Sequence, residues 1–103
     1  MFMKNASYYI SYAVTLTCQG DREYAYYLAE EPDGDKNNEH YKGSQKKYRQ
    51  AKEMLKELHK EFGISLKHGA LKGLIKKARG KGKTEFSEIQ KYIKKKLKED
   101  GVL

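Results

Sequence analysis

The sequence is poor in residues that signal covalent reinforcement or chemistry. It holds one cysteine, Cys18, which has no partner for an internal disulfide and so fits a reducing compartment. Its one proline, Pro32, marks a turn and leaves both flanks free for regular structure. Arginine is scarce: Arg22, Arg49 and Arg79 stand against nineteen lysines. Lysine is a hydrated point charge, whereas the arginine fork reads base edges, so this balance favours diffuse contact with phosphates. No apolar run approaches the roughly 18 residues that cross a bilayer. The best stretch, residues 8–18, follows Lys4 but is broken by Ser11, Thr15 and Thr17. It also lacks the small residues that a cleavage site before Cys18 would need. The expectation is a cytoplasmic chain with no membrane partner.

What the sequence does have is segregated charge. Residues 1–40 carry three basic and seven acidic side chains, and residues 41–103 carry nineteen and seven. The first part is net −4 and the second +12, within a chain of net charge +8. Such a split points to a surface built to meet something negative. At 103 residues one domain is expected, burying roughly 60–70% of its unfolded surface.

Residues 8–18 alternate, with Tyr8, Ile10, Tyr12, Val14, Leu16 and Cys18 on one side. Tyr9, Ser11, Ala13, Thr15 and Thr17 fall on the other. Period two in β-branched and aromatic residues predicts a strand. Gln19-Gly20-Asp21 reads as a turn, and residues 23–29 resume the alternation with Tyr24, Tyr26 and Leu28. The pair predicts an antiparallel hairpin. Residues 30–44, with Pro32-Asp33-Gly34, read as a polar loop. Tyr48, Ala51, Leu55, Leu58 and Phe62, spaced 3, 4, 3, 4, predict a helix over 45–62 ended by Gly63. Arg49–Glu53 and Glu53–Lys56 are expected to pair on its outer side.

A second helix is predicted over 66–78 with Leu71, Leu74, Ile75 and Ala78 inward, although Gly69 and Gly73 weaken it. Residues 79–83 form a basic, glycine-containing connector. Thr84 reads as the N-cap of a third helix that carries Phe86, Ile89, Ile93 and Leu97 inward and stops at Gly101. The fold class expected is therefore α+β: an N-terminal antiparallel β-hairpin packed against three amphipathic helices. Its parts are the hairpin (1–29), the loop (30–44) and a basic helical part (45–103) of one domain spanning 1–103.

The third helix carries the sharpest functional signal. At about 100° per residue, Lys91, Lys94, Lys95 and Lys98 fall in one stripe opposite the apolar face. Lys72, Lys76 and Lys77 extend it on the second helix, and Arg79, Lys81 and Lys83 bridge the two. These ten residues are expected to act as phosphate-positioning charges for DNA or RNA, largely without sequence specificity. Glycines beside them either allow a phosphate close or allow another helix to pack tightly.

Other patterns are weaker. Gly82-Lys83-Thr84 resembles the end of a phosphate loop, but Lys77 stands where the first glycine belongs and no strand precedes it. Two helices joined by a turn resemble a helix-turn-helix, without the Gln, Asn and Arg pattern that reads bases. Asp33, Asp35, Asn37 and Glu39 alternate like a calcium loop, with Asn38 replacing its glycine and Ser44 its final Glu. His40, His59 and His68 lack ligand spacing with Cys18, which is in phase with the core. No catalytic residue, metal or cofactor is therefore expected, and the chain reads as a non-enzymatic binding protein.

The alternative partner is a protein or nucleoprotein complex. A phage or mobile-element accessory protein, such as an anti-CRISPR-type inhibitor, would place Tyr9 and Tyr27 on the exposed hairpin face as anchors. A homodimer through the hairpin edge is a further expectation.

Overall fold

Residues 8–18 obey a helical period and not the expected alternation. The computed structural model describes residues 5–103, and there every regular element is an α-helix. These are α1 (Ala6–Glu30), α2 (Glu39–Phe62), α3 (His68–Gly80) and α4 (Phe86–Glu99), in a four-helix, bundle-like arrangement. The α+β class and its hairpin are overturned. Residues 1–4 of that expected hairpin lie outside the described residues.

The error was one of phase. Alternation put Ala13 and Thr17 outside and Tyr8 and Tyr12 in the core. In the fold, Ala13 and Thr17 are 0% exposed, while Tyr8 and Tyr12 are 40% and 45% exposed. Ile10, Ala13, Val14 and Thr17 follow the spacing of one helical face. Thr17, which the sequence suggests as a strand former, sits in the helix by donating its hydroxyl to Ala13 O at 2.8 Å, a local bond open to Ser and Thr. Asn5 starts α1 by accepting from Tyr8 N at 2.9 Å. The expected turn at Gly20 is mid-helix. A β-carbon there would lie 2.7 Å from Tyr48 Cε1 of α2, so glycine permits the close approach of the two helices.

The loop between them is shorter than expected, because α2 begins at Glu39 and not at residue 45. Asn38 caps it, accepting from His40 N at 2.8 Å and Tyr41 N at 3.3 Å. At its far end Gly63 takes φ +67°, the left-handed cap that the sequence predicts. The α3 helix runs two residues beyond the expected end. Glu85, and not Thr84, is the N-cap of α4, without a side-chain bond. The expected Arg49–Glu53 and Glu53–Lys56 pairs are not formed among the described residues.

Every other helix packs against α1. Its Ile10, Val14 and Cys18 meet Leu55 and Leu58 of α2, Leu71 and Ile75 of α3, and Ile89, Ile93 and Leu97 of α4 in one core. Gln90 ties α4 to α1 by donating to Ser11 O at 3.2 Å and Thr15 Oγ1 at 2.8 Å. Both acceptors belong to the set that alternation had placed outside. With no strand among the described residues, the dimer expected through a hairpin edge loses its structural basis.

Two glycines should respond in opposite ways. Gly20→Val should lower stability by about 1–3 kcal/mol through overpacking. Gly73→Ala, where a β-carbon meets nothing within 4 Å, should raise it by about 0.5–1 kcal/mol. Urea denaturation followed by far-UV circular dichroism measures both.

Candidate nucleic-acid interface

The three C-terminal helices bury one stripe each, and that fixes where their lysines go. Leu71, Ile75 and Ala78 anchor α3, which leaves Lys72, Lys76, Lys77 and Arg79 exposed. Ile89, Ile93 and Leu97 anchor α4, which leaves Lys91, Lys95 and Lys98 exposed and Lys94 half-buried. Between them, Lys81 is exposed and Lys83 half-buried. Eight of the ten expected cations have no ion pair among the described residues.

Lys72 and Arg79 are the exceptions, and both meet Asp21 of α1. Lys72 Nζ is 3.8 Å from Asp21 Oδ1, and Arg79 Nη1 is 3.4 Å from Asp21 Oδ2. Tyr48 donates its hydroxyl to the same carboxylate at 2.5 Å, and Lys72 Nζ lies 4.4 Å from the centre of the Tyr48 ring. Burial, then Asp21, pushes the Tyr48 phenol well up. Both cations are substantially exposed, so each ion pair is worth about 0.2–1 kcal/mol. An incoming phosphate can compete for them.

The cations do not form a single plateau. Lys72, Lys76 and Arg79 line one depression together with Asp21. Lys77 lines another with Lys67 and Asp100. Lys83, Lys91 and Lys95 line a third with Glu88 and Tyr92. The exposed side of α3 carries Gly69, Gly73 and Gly80, where an added β-carbon would meet nothing within 4 Å. Tight packing against another helix of this chain is therefore not their use.

Sequence reasoning missed a set of cations on α2. Gln45, Tyr48, Lys52, Lys56 and His59, spaced 3, 4, 4, 3, form one ridge facing α3. Lys52, Lys56 and His59 line a depression of about 330 Å³ with Lys67 and His68. Lys52 and His68 also line its neighbour of about 390 Å³, with Tyr24, Gln45, Tyr48 and Lys72. Lys72 continues into the depression of about 360 Å³ that holds Lys76 and Arg79. No carboxylate lines the first two. The ridge spacing was the available signal, hidden in sequence by Glu53 and Glu57 between the lysines.

His68 sits at the centre of this trough. Its Nε2 is 3.0 Å from Thr17 Oγ1. That hydroxyl has one proton, given to Ala13 O, so His68 Nε2 is the donor. Burial first, then Lys52 and Lys72, hold the His68 imidazole below its ordinary range, against Asp21. His40, at the loop end of α1 and α2, is perturbed the other way. Its Nδ1 lies 2.6 Å from Glu23 Oε2 and its Nε2 3.3 Å from Glu30 Oε2. The bond to Glu23, helped by Glu30, raises its pKa against desolvation. The acidic end of the chain is thus used internally.

The expected protein anchors are not on the surface. Tyr9 and Tyr27 are 6% and 4% exposed, with the Tyr9 hydroxyl donating to Glu61 at 3.0 Å. The helical phase turns them inward and turns Tyr8, Tyr12 and Tyr26 outward. Cys18 is buried, and burial raises its thiol pKa, which keeps it a poor nucleophile. No helix among the described residues is long and apolar enough to cross a membrane. No protein-family model matches the chain, and neither a curated protein nor a solved structure matches it.

The two histidines should give opposite pH dependences. The raised His40 pKa stabilises the fold below the unfolded value of about 6.5, and this is lost as pH rises through the folded value. The lowered His68 pKa contributes above that value, and its contribution is lost as pH falls through the folded value. His40→Gln should therefore cost more stability near about pH 5 than near about pH 9, and NMR titration should order His68 below His40. Separately, Asp21→Asn should raise affinity for a nucleic-acid strand about two- to fivefold by releasing Lys72 and Arg79, read by fluorescence anisotropy.

Proposed function

We propose that this is a non-enzymatic protein that binds the phosphate backbone of nucleic acid, largely without regard to sequence. The observation that carries the reading is the set of unpaired cations on α3, the connector and α4: Lys76, Lys77, Lys81, Lys83, Lys91, Lys94, Lys95 and Lys98. Lys72 and Arg79 join them when phosphate displaces Asp21. Lysines release condensed counterions when they meet phosphates, and that release supplies sequence-independent affinity. The scarcity of arginine supports backbone contact over base readout. The exposed glycine side of α3 supports it too, because at Gly69, Gly73 and Gly80 no side chain stands between a strand and the helix backbone.

The reading includes a reducing, cytoplasmic setting, supported by a lone buried thiol without a disulfide partner. Inhibition of a protein partner through Tyr9 and Tyr27 is not carried forward, because both side chains belong to the core.

Affinity should fall steeply with salt, with a slope of log K against log salt steeper than about −2, the value for about three phosphates. Reversing Lys91, Lys94 and Lys98 together to Glu should weaken binding by about tenfold or more. Titrations of a labelled oligonucleotide at several salt concentrations measure both. Salt-independent binding, or full affinity in the triple variant, would count against the reading.

A further inference from the structure

The trough between α2 and α3 presents a longer run of basic hollows than the α4 side, where Lys83, Lys91 and Lys95 line a single depression. Three depressions join end to end through shared residues: Lys52 and His68 link the first two, and Lys72 links the second to the third. The wall residues come from α2, from α3, from the connection that carries Lys67, and, through Tyr24 and Asp21, from α1. The trough follows α3, whose 13 residues span about 20 Å at about 1.5 Å per residue.

Its charge is one-sided. Lys52, Lys56, Lys67 and Lys72 are all exposed, and only Lys72 has an acidic partner, Asp21 at the far end. The α2 acid that is hydrogen-bonded across to α1, Glu61, is taken by Tyr9. Glu23 and Glu30 are taken by His40. Burial first, and then Lys52 and Lys72, lower the basicity of His68, with Asp21 opposing them.

Width selects the ligand. Each of the three hollows holds only about 330–390 Å³, so each is narrow beside a duplex. A duplex is broad enough that its own major groove, about 12 Å wide, admits a whole helix, and it can touch only the rims of the trough. The sugar–phosphate chain of a single strand can lie along its floor. Tyr24 and Tyr48 in the middle depression add aromatic edges to a basic channel, the combination that proteins use to hold unpaired strands.

We propose that the α2–α3 trough, lined by Lys52, Lys56, His59, Lys67, His68 and Lys72, is a binding channel for single-stranded nucleic acid. The channel rests on the backbone-binding reading given above and adds a preference that the α4 face alone does not supply. The α4 lysines act on either form of nucleic acid. The trough acts on the unpaired one.

The test compares a mixed-sequence 20-nucleotide single strand with the duplex of the same sequence by fluorescence anisotropy at low salt. Wild type should bind the single strand about tenfold or more tightly than the duplex. Lys52→Glu/Lys56→Glu should erase that preference, whereas Lys91→Glu/Lys95→Glu should weaken both ligands alike. Far-UV circular dichroism checks folding. Lys67→Glu, outside any helix interior, repeats the test with one residue and should reduce the preference severalfold. His68 and His59 imidazole signals should shift on adding the single strand. A wild-type preference for duplex, or a single-strand preference that survives the α2 and Lys67 variants, overturns the channel and leaves backbone binding standing. Loss of salt-dependent binding to both ligands removes the two together.

Discussion

The approach of α2 to α1 at Gly20 is the constraint on which the other contacts depend. With no side chain at that position, the Tyr48 ring lies against the α1 backbone. From there its hydroxyl reaches Asp21, and its ring faces Lys72 and His68. Ala13 and Thr17 extend the same economy of volume along α1. A buried helix can be gripped on several sides only where its side chains are small or complementary in shape. The polar groups that this closeness buries are satisfied, since no buried side-chain nitrogen or oxygen among the described residues lacks a partner.

Around that contact, charge is sorted by use. Acids at the loop end of α1 and α2 hold His40, and Glu61 holds Tyr9. Asp21 alone reaches toward the basic half. It restrains two cations on α3 and leaves those of α4 untouched. The arrangement resembles a carboxylate occupying a phosphate position, weak enough to be exchanged and placed where exchange would uncover a pair of charges. Under the proposed function, phosphate binding and the internal packing of α1 share one group.

The helices whose faces separate cleanly into apolar and charged were legible in the sequence. The 3–4 spacing of Leu55 and Leu58, and of Ile89, Ile93 and Leu97, gave the correct inward face, and Gly63 ended α2 as expected. The α1 helix was not legible for a physical reason. Packed by three helices, it leaves only a narrow polar stripe, Ser7, Ser11, Thr15, Gln19 and Arg22, flanked by tyrosines, and the Thr15 hydroxyl of that stripe is taken by Gln90. Tyrosine and β-branched residues then imitated a strand, and tertiary packing overrode that propensity. Among site residues, the α3 and α4 lysines followed from angular position alone. The pairing of Arg79 with Asp21 spans 58 positions in sequence, and no local pattern encodes it. The α2 ridge was readable in principle, but neighbouring glutamates made its lysines look like ordinary surface pairs.

The bare flank of α3 has a dynamic consequence. Glycine leaves a helix with less intrinsic stability than alanine by about 1 kcal/mol at each interior site. This helix is short, is held from one side only, and carries glycine where its neighbours carry longer side chains. Transient local unfolding should therefore be easiest here, and its backbone amides should be among the first to exchange with solvent. In the proposed channel, one wall would thus be the most compliant part, able to adjust its curvature to an irregular polymer without disturbing the core beneath.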